Sequence, residues 1–497
     1  MKKLKFPSAQ TLLFIIAGLV ALLTWVVPAG KYDSLSYNAS SQTFTKTSLE
    51  ATFEFPATTE TLNNLGIKIP LEKFTSGAIY KPIGIPHSYK ALPANSQGFF
   101  DLVKAPIKGI IEAADIIFLI LIIGGLIGIM NLTGAFDAGI AWTAKILKGN
   151  EYLLIILVTT IIALGGTTFG LAEETMAFYP ILIPVFLAAK YDALVGVSCI
   201  FLGSAIGTMC STVNPFSTII ASDAAGINWT TGLQSRLIML VLCLSITIIY
   251  ILRYAKRVKT NPSKSIIYNQ KEDIEARFKI KTNSYTKFSG RLKAITFVFS
   301  ASFVVMIIGV SFLDWWFIEM TTTFLVTAII IGILAKIKER TFIETFVKGA
   351  ADLLSVAFIV GIARGVTILM QDGLISDTLL FHASTITEGM PKALFTNFML
   401  FIYAGLSFFM PSSSGMAVLT MPVMAPLADT VNLGREVIVN TYQYGMGLLY
   451  LISPTGLILA ALAIVNIGFN KWLKFVTPLL IILTLTTMAF LSLSVYL

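Results

Sequence analysis

The sequence predicts an all-α membrane protein of two inverted repeats, each with a re-entrant helical hairpin and a broken transmembrane helix. Three observations predict it: the composition, the polar breaks inside four long apolar stretches, and a segment that recurs at an offset of 240 residues (348 − 108 = 240).

Of 497 residues, 56% are hydrophobic and only 13% charged, with a mean hydropathy of +0.81. Soluble domains carry about 25% charged residues, so this chain belongs in lipid. Apolar spans fall near 8–28, 112–131, 192–222, 232–254, 293–314, 318–336, 350–371, 434–466 and 473–496. They suit helices that satisfy their own backbone. The net charge of +9 could suggest nucleic acid, but the basic residues fall between the spans, where the positive-inside bias puts them. No nucleic-acid partner is expected.

Two further stretches, 152–189 and 393–430, are each interrupted at the middle, leaving halves too short to cross comfortably. Each reads as a hairpin that enters and leaves by one face. The segment Arg253–Lys293 holds twelve Lys/Arg against three Asp/Glu and is read as cytoplasmic. Counting outward from it puts Lys2, Lys3, Lys5, Lys145, Lys148 and the Lys336–Arg340 and Lys471–Lys474 segments inside, provided both interrupted stretches are hairpins. Residues 29–104 then form an outside loop, whose alternating Thr43-Phe44-Thr45 and Thr52-Phe53-Glu54-Phe55 suggest a small β-rich cap.

The repeat begins at Lys108-Gly109 and again at Lys348-Gly349, with matches at Phe118/Phe358, Gly125/Gly365, Met130/Met370 and Asp137/Asp377. The same offset pairs hairpin with hairpin and 192–222 with 434–466. An unpartnered span, Thr321–Leu334, turns the second half upside down. The division is a first repeat 1–254, a cytoplasmic linker 255–292 and a second repeat 293–497.

Chemistry is expected at the four breaks. In the first half these are Gly165-Gly166-Thr167-Thr168-Phe169-Gly170 and Cys210-Ser211-Thr212-Val213-Asn214-Pro215. In the second they are Met410-Pro411-Ser412-Ser413-Ser414-Gly415 and Ile452-Ser453-Pro454-Thr455-Gly456. Breaks survive in hydrocarbon where protein or a wet cavity satisfies them, and half-helix ends then face a solute. The candidate substrate-binding residues are Thr167, Thr168, Glu173, Glu174, Ser211, Thr212, Asn214, Ser412, Ser413, Ser414, Ser453 and Thr455. Sodium sites are considered near Gly166, Asn214, Ser413 and Thr455. Glu173 and Glu174 are intramembrane carboxylates beside the first tip, fit for a proton or a substrate cation. Arg364 can pair with a Glu, meet a substrate carboxylate or snorkel outward. Thr208, Asn440 and Gln443 either line the same cavity or hydrogen-bond between helices. Cys199, Cys210 and Cys243 lie in apolar segments and read as small buried hydrophobes. Cys210 has no catalytic partner nearby in sequence, and His87 and His382 are far apart, which argues against an enzyme. No cofactor is implied.

The opening FPSAQTLLFIIAGLVALLTWVVPAGKYD, the segment APIKGIIEAADIIFLILIIGGLIGIMNLTGA and the tip GGTTFGLAEETMAFYPILIPVFLA resemble the YfcC-type family. That family is related to the anaerobic dicarboxylate carriers and arginine/ornithine exchangers of the ion transporter superfamily. The resemblance implies a scaffold and a moving transport domain in an elevator-type mechanism, commonly a homodimer, in the bacterial inner membrane. The tips here read Gly-Thr-Thr and Ser-Ser-Ser, where divalent-anion members carry a Ser-Asn-Thr type motif. The expected function is a secondary transporter for a small carboxylate-bearing solute, an amino acid with basic ones among the candidates, coupled to sodium or protons. The alternative is a proton-coupled dicarboxylate carrier; a channel or an intramembrane enzyme is more remote.

Overall fold

A computed structural model describes residues 7–49, 51–77, 79, 82–136, 138, 149–278, 289–313, 315–387 and 390–496. Among these, nine helices are long and apolar enough to cross a membrane. Lys2, Lys3, Lys5, Asp137, Lys145 and Lys148, used above for orientation and repeat, lie outside the described residues.

Ser8 caps helix α1 (Ala9–Val26), its hydroxyl accepting from the Thr11 N–H, and Pro28 ends it. The cap follows. Strands β2 (Ser34–Asn38), β3 (Thr43–Thr47) and β4 (Thr52–Pro56) pair antiparallel, and β5 (Ile83–Gly84) closes a sheet of order β4-β3-β2-β5. Strand β1 (Gly30–Lys31) pairs with β6 (Lys90–Ala91). Leu35 and Phe44 point inward, as the alternation predicts, and Phe44 meets Phe74 edge-on at 5.1 Å. Two short helices, α2 (Thr59–Asn64) and α3 (Leu71–Thr75), complete the cap.

Helices α4 (Phe99–Glu112) and α5 (Ala114–Thr133) form one long bent rod, broken at Ala113. The sequence places the span at 112–131. The structure adds α4, whose Asp101, Lys104, Lys108 and Glu112 conceal it from a hydropathy reading. One stripe of α4 (Phe99, Val103, Ile107, Ile111) is exposed, while Ala105 and Gly109 are buried.

In the first hairpin, α6 (Tyr152–Phe169) turns at Gly170, φ 77°, and returns through a 3₁₀ turn (Glu173–Ala177) into α7 (Phe178–Ala188). The sequence puts the break at Gly165–Gly170, but Gly165 to Phe169 remain helical. Those glycines serve close packing: a Cβ on Gly166 would lie 2.7 Å from the Ser204 carbonyl oxygen of α8 (Ala193–Met209). Helix α8 ends at Met209. Residues 210–214 are irregular, a π turn (Pro215–Ile219) follows, and α9 (Ile220–Ala224) completes the broken helix. Asn214 caps the restart, its Oδ1 accepting from the Phe216 N–H at 2.8 Å. Helix α10 (Leu233–Thr260) then leads to a linker containing α11 (Lys271–Arg277).

The second half has α12 (Gly290–Phe312) and α13 (Phe317–Leu334), then a second bent rod, α14 (Glu339–Asp352) and α15 (Leu354–Asp372), broken at Leu353. The two rods cross twice. Gly109 of α4 meets the Gly361 carbonyl and Gly365 of α15, and Gly349 of α14 meets the Gly124 carbonyl and Gly128 of α5. The bends at Ala113 and Leu353 are themselves 240 residues apart (353 − 113 = 240). Helix α16 (Ser376–Thr387) docks on the cap, with the Tyr32 N–H donating to Asp377 and Tyr89 stacked on Phe381 at 4.2 Å. The second hairpin is α17 (Lys392–Phe409) and α18 (Ser413–Thr430); the second broken helix is α19 (Arg435–Tyr450) and α20 (Ile458–Val465); α21 (Phe469–Ser494) is last.

Candidate functional site

Between the crossed rods and the hairpins lies a cavity of about 340 Å³. The first half contributes Phe169 and Gly170 at the hairpin turn, Glu173 and Glu174 just after it, and Asn214 at the helix break. The second half contributes Ser412, Ser413 and Ser414 at its tip, and Thr455 and Gly456 at its break. All four breaks therefore border one space. A 3₁₀ turn rotates about 120° per residue, so Glu173 and Glu174 diverge, yet both reach the wall. Glu174 is nearly buried and accepts the Ala172 N–H at 3.1 Å. Helix α18 begins at the wall, capped by the Ser412 hydroxyl, which accepts the Gly415 N–H at 3.2 Å. Its partial positive end suits an anionic group.

Thr167, Thr168, Ser211, Thr212 and Ser453 are not on the wall. The Thr167 hydroxyl donates to the Cys210 carbonyl at 2.9 Å and receives the Thr212 N–H at 3.0 Å, so this one hydroxyl ties the turn to the break. The exposed Thr168 donates to Leu164 of its own helix. Ser211 bonds Thr218, and Ser453 bonds Thr455 at 2.7 Å. Hydroxyls in a broken helix are drawn to the backbone and to each other. Of the residues considered for sodium, Asn214, Ser413 and Thr455 border the cavity, and Gly166 is packed against α8.

Arg364 does pair with a glutamate, but with Glu112 at 2.9 Å, at the end of α4, and not with the tip. Both border the cavity, as does Asp115. Among the described wall residues, Glu112, Asp115, Glu173 and Glu174 thus stand against one cation, Arg364. Thr208 and Gln443 also line the wall, whereas Asn440 accepts a hydrogen bond from buried Arg236 at 3.3 Å.

Sequence reasoning did not single out the aromatic wall: Trp315, Trp316, Phe317, Phe216, Tyr442 and Tyr450. Trp316 meets Phe216 edge-on at 4.9 Å, joining the residue that precedes α13 to the restart of the broken helix. Tryptophan at the end of an apolar span reads first as an interfacial anchor, so only its place opposite a helix break could have marked it. Asp115 and Glu112 were hidden by standing at the edge of the apolar run.

The chain is similar to two curated proteins over nearly its whole length. A Haemophilus influenzae protein without a functional name is 43% identical over 482 residues, covering 96% of this chain and 95% of that one. The Escherichia coli protein YfcC, whose name proposes basic amino acid antiport, is 30% identical over 490 residues, covering 94% and 92%. Among solved structures, MtrF of Neisseria gonorrhoeae aligns over 99% of this chain and 96% of its own, at 14% identity and a TM-score of 0.41. The YdaH transporter of Alcanivorax borkumensis aligns over 98% of each, at 12% identity and a TM-score of 0.38. The model of a family described as C4-dicarboxylate anaerobic carrier matches residues 6–496. The resemblance to YfcC read from the sequence holds, and the chain is a multi-pass membrane protein that belongs to the DcuC family of transporters.

Proposed function

We propose that this chain is a secondary active transporter of a basic amino acid, working by alternating access in the bacterial inner membrane with its N-terminus and the 255–292 linker in the cytoplasm. The observation that carries the substrate class is the charge of the cavity. Four carboxyl groups face one guanidinium, already paired with Glu112. A dianion entering there would meet more repulsion than attraction, while a cationic side chain would meet the reverse. The aromatic wall adds favourable faces for a cation. The solute's carboxylate then goes to the N-terminus of α18 at Ser412–Ser414, and its cationic end to Glu173 and Glu174.

The crossed rods support the inverted repeat, because each half lends a glycine to the other at equivalent positions. The cavity's position between the rods and the hairpins supports an elevator motion, in which the hairpins and broken helices move against the rods. A second reading, a C4-dicarboxylate carrier, has the family description and Arg364 in its favour.

Thermal stability of the purified protein with arginine, ornithine, succinate or fumarate, with and without sodium, separates the two. Binding to the folded state raises Tm by mass action, and ligand at about 100 times its Kd contributes about 2.7 kcal/mol. The expected result is stabilisation by arginine or ornithine and none by the dicarboxylates. Stabilisation by succinate alone removes the basic amino acid reading.

A further inference from the structure

A second cavity, about 310 Å³, lies on the linker side, away from the breaks. Its floor is the loop between the first hairpin and α8 (Lys190, Tyr191, Asp192), one wall is the end of α10, and the linker folds over it. The linker is held there by specific bonds. Asp192 Oδ2 accepts the Tyr254 hydroxyl at 2.8 Å and the Ser265 hydroxyl at 2.6 Å, while its Oδ1 accepts the Val195 N–H. Gln270 donates to the Asn466 carbonyl, at the turn before α21.

The lining has two chemistries. Leu187, Val258, Ile267 and Ile274 form an apolar interior, and Lys190, Lys259 and Lys271 stand around it together with the carboxylates of Asp192 and Glu275. Lys259 lies over the Tyr191 ring at 5.1 Å and 3.1 Å from Glu151, whose carboxyl is held down to about 2 by backbone N–H groups and then by this lysine. Lys190 has no ion pair among the described residues, and Lys271 reaches only Glu275 at 3.7 Å. The oxygens of Asp192 are already engaged by neutral donors.

We propose that this cavity binds a phosphate ester carrying an apolar body, supplied by an anionic phospholipid of the cytoplasmic leaflet. Basic pockets at helix ends on that side face a negatively charged lipid surface. A free phosphate would use the lysines but leave the apolar interior unfilled. The lipid would brace the hairpin base against α10 and the linker. The inference uses the orientation proposed above but not the solute, so it stands or falls separately from the substrate assignment.

The test is the thermal stability of the full chain in an uncharged detergent. Added phosphatidylglycerol should raise Tm by about 2–5 °C, while phosphatidylcholine and glycerol phosphate should not. The double variant K190Q/K271Q, exposed positions where folding is not at stake, should lose most of that rise. It should also co-purify with less lipid phosphorus per chain. An equal rise with phosphatidylcholine, an equal rise with glycerol phosphate, or an undiminished rise in the double variant each overturns the proposal.

Discussion

Replacing Glu173 by Gln is expected to abolish concentrative uptake while leaving folded protein in the membrane. The substitution keeps the shape and removes the charge, so it separates electrostatics from packing. With the carboxylate gone, a cationic substrate loses one of the four opposite charges on the cavity wall, and Arg364 gains weight in the cavity's balance. Affinity for the cationic solute falls by at least about tenfold, corresponding to about 1.4 kcal/mol. Glu174→Gln has a smaller effect, because the amide oxygen still accepts the Ala172 N–H that the carboxylate accepts now. Uptake and binding in both variants check this. Full-rate transport by both with unchanged pH dependence makes the pair structural and removes the cationic half of the substrate argument.

The second large effect falls on the scaffold. Gly109→Val and Gly349→Val each place a branched side chain where a backbone carbonyl of the partner rod already sits: Gly361 for the first, Gly124 for the second. A backbone oxygen cannot swing aside as the end of a side chain can, so the rods must separate. Small residues at helix crossings are what lets membrane helices approach this closely. Each valine variant is expected to lose about 3 kcal/mol or more, the upper end of overpacking costs. The readout is recovery of monodisperse protein and its Tm. Gly18→Ala and Gly405→Ala, where an added Cβ meets nothing within 4 Å, serve as controls. A valine variant as stable as its parent contradicts the crossing.

The interruptions inside the long apolar runs were legible because Gly, Pro and hydroxyl residues stand at their middle, and few arrangements tolerate that in lipid. The precise turn was not. Gly165 and Gly166 look like a break, yet Gly166 lets α6 approach α8 and Gly165 makes room for Leu171 of the turn, and sequence cannot tell these uses of glycine apart without the packing partner. The same limit applies to hydroxyls. Ser412, Ser413 and Thr455 reach the cavity, while Thr167, Ser211 and Thr212 turn to carbonyls and hydroxyls around the first break. Helix α4 escaped because its charged residues lower hydropathy although its glycine face is buried. The aromatic wall escaped because Trp315 and Trp316 stand where an interfacial belt is expected.

Uptake of labelled arginine into proteoliposomes, with succinate as competitor, tests the central claim most directly. The account predicts saturable accumulation, driven by an imposed ion gradient or by basic amino acid loaded inside, and indifferent to excess succinate. Accumulation of succinate, with arginine neither transported nor competing, would contradict it.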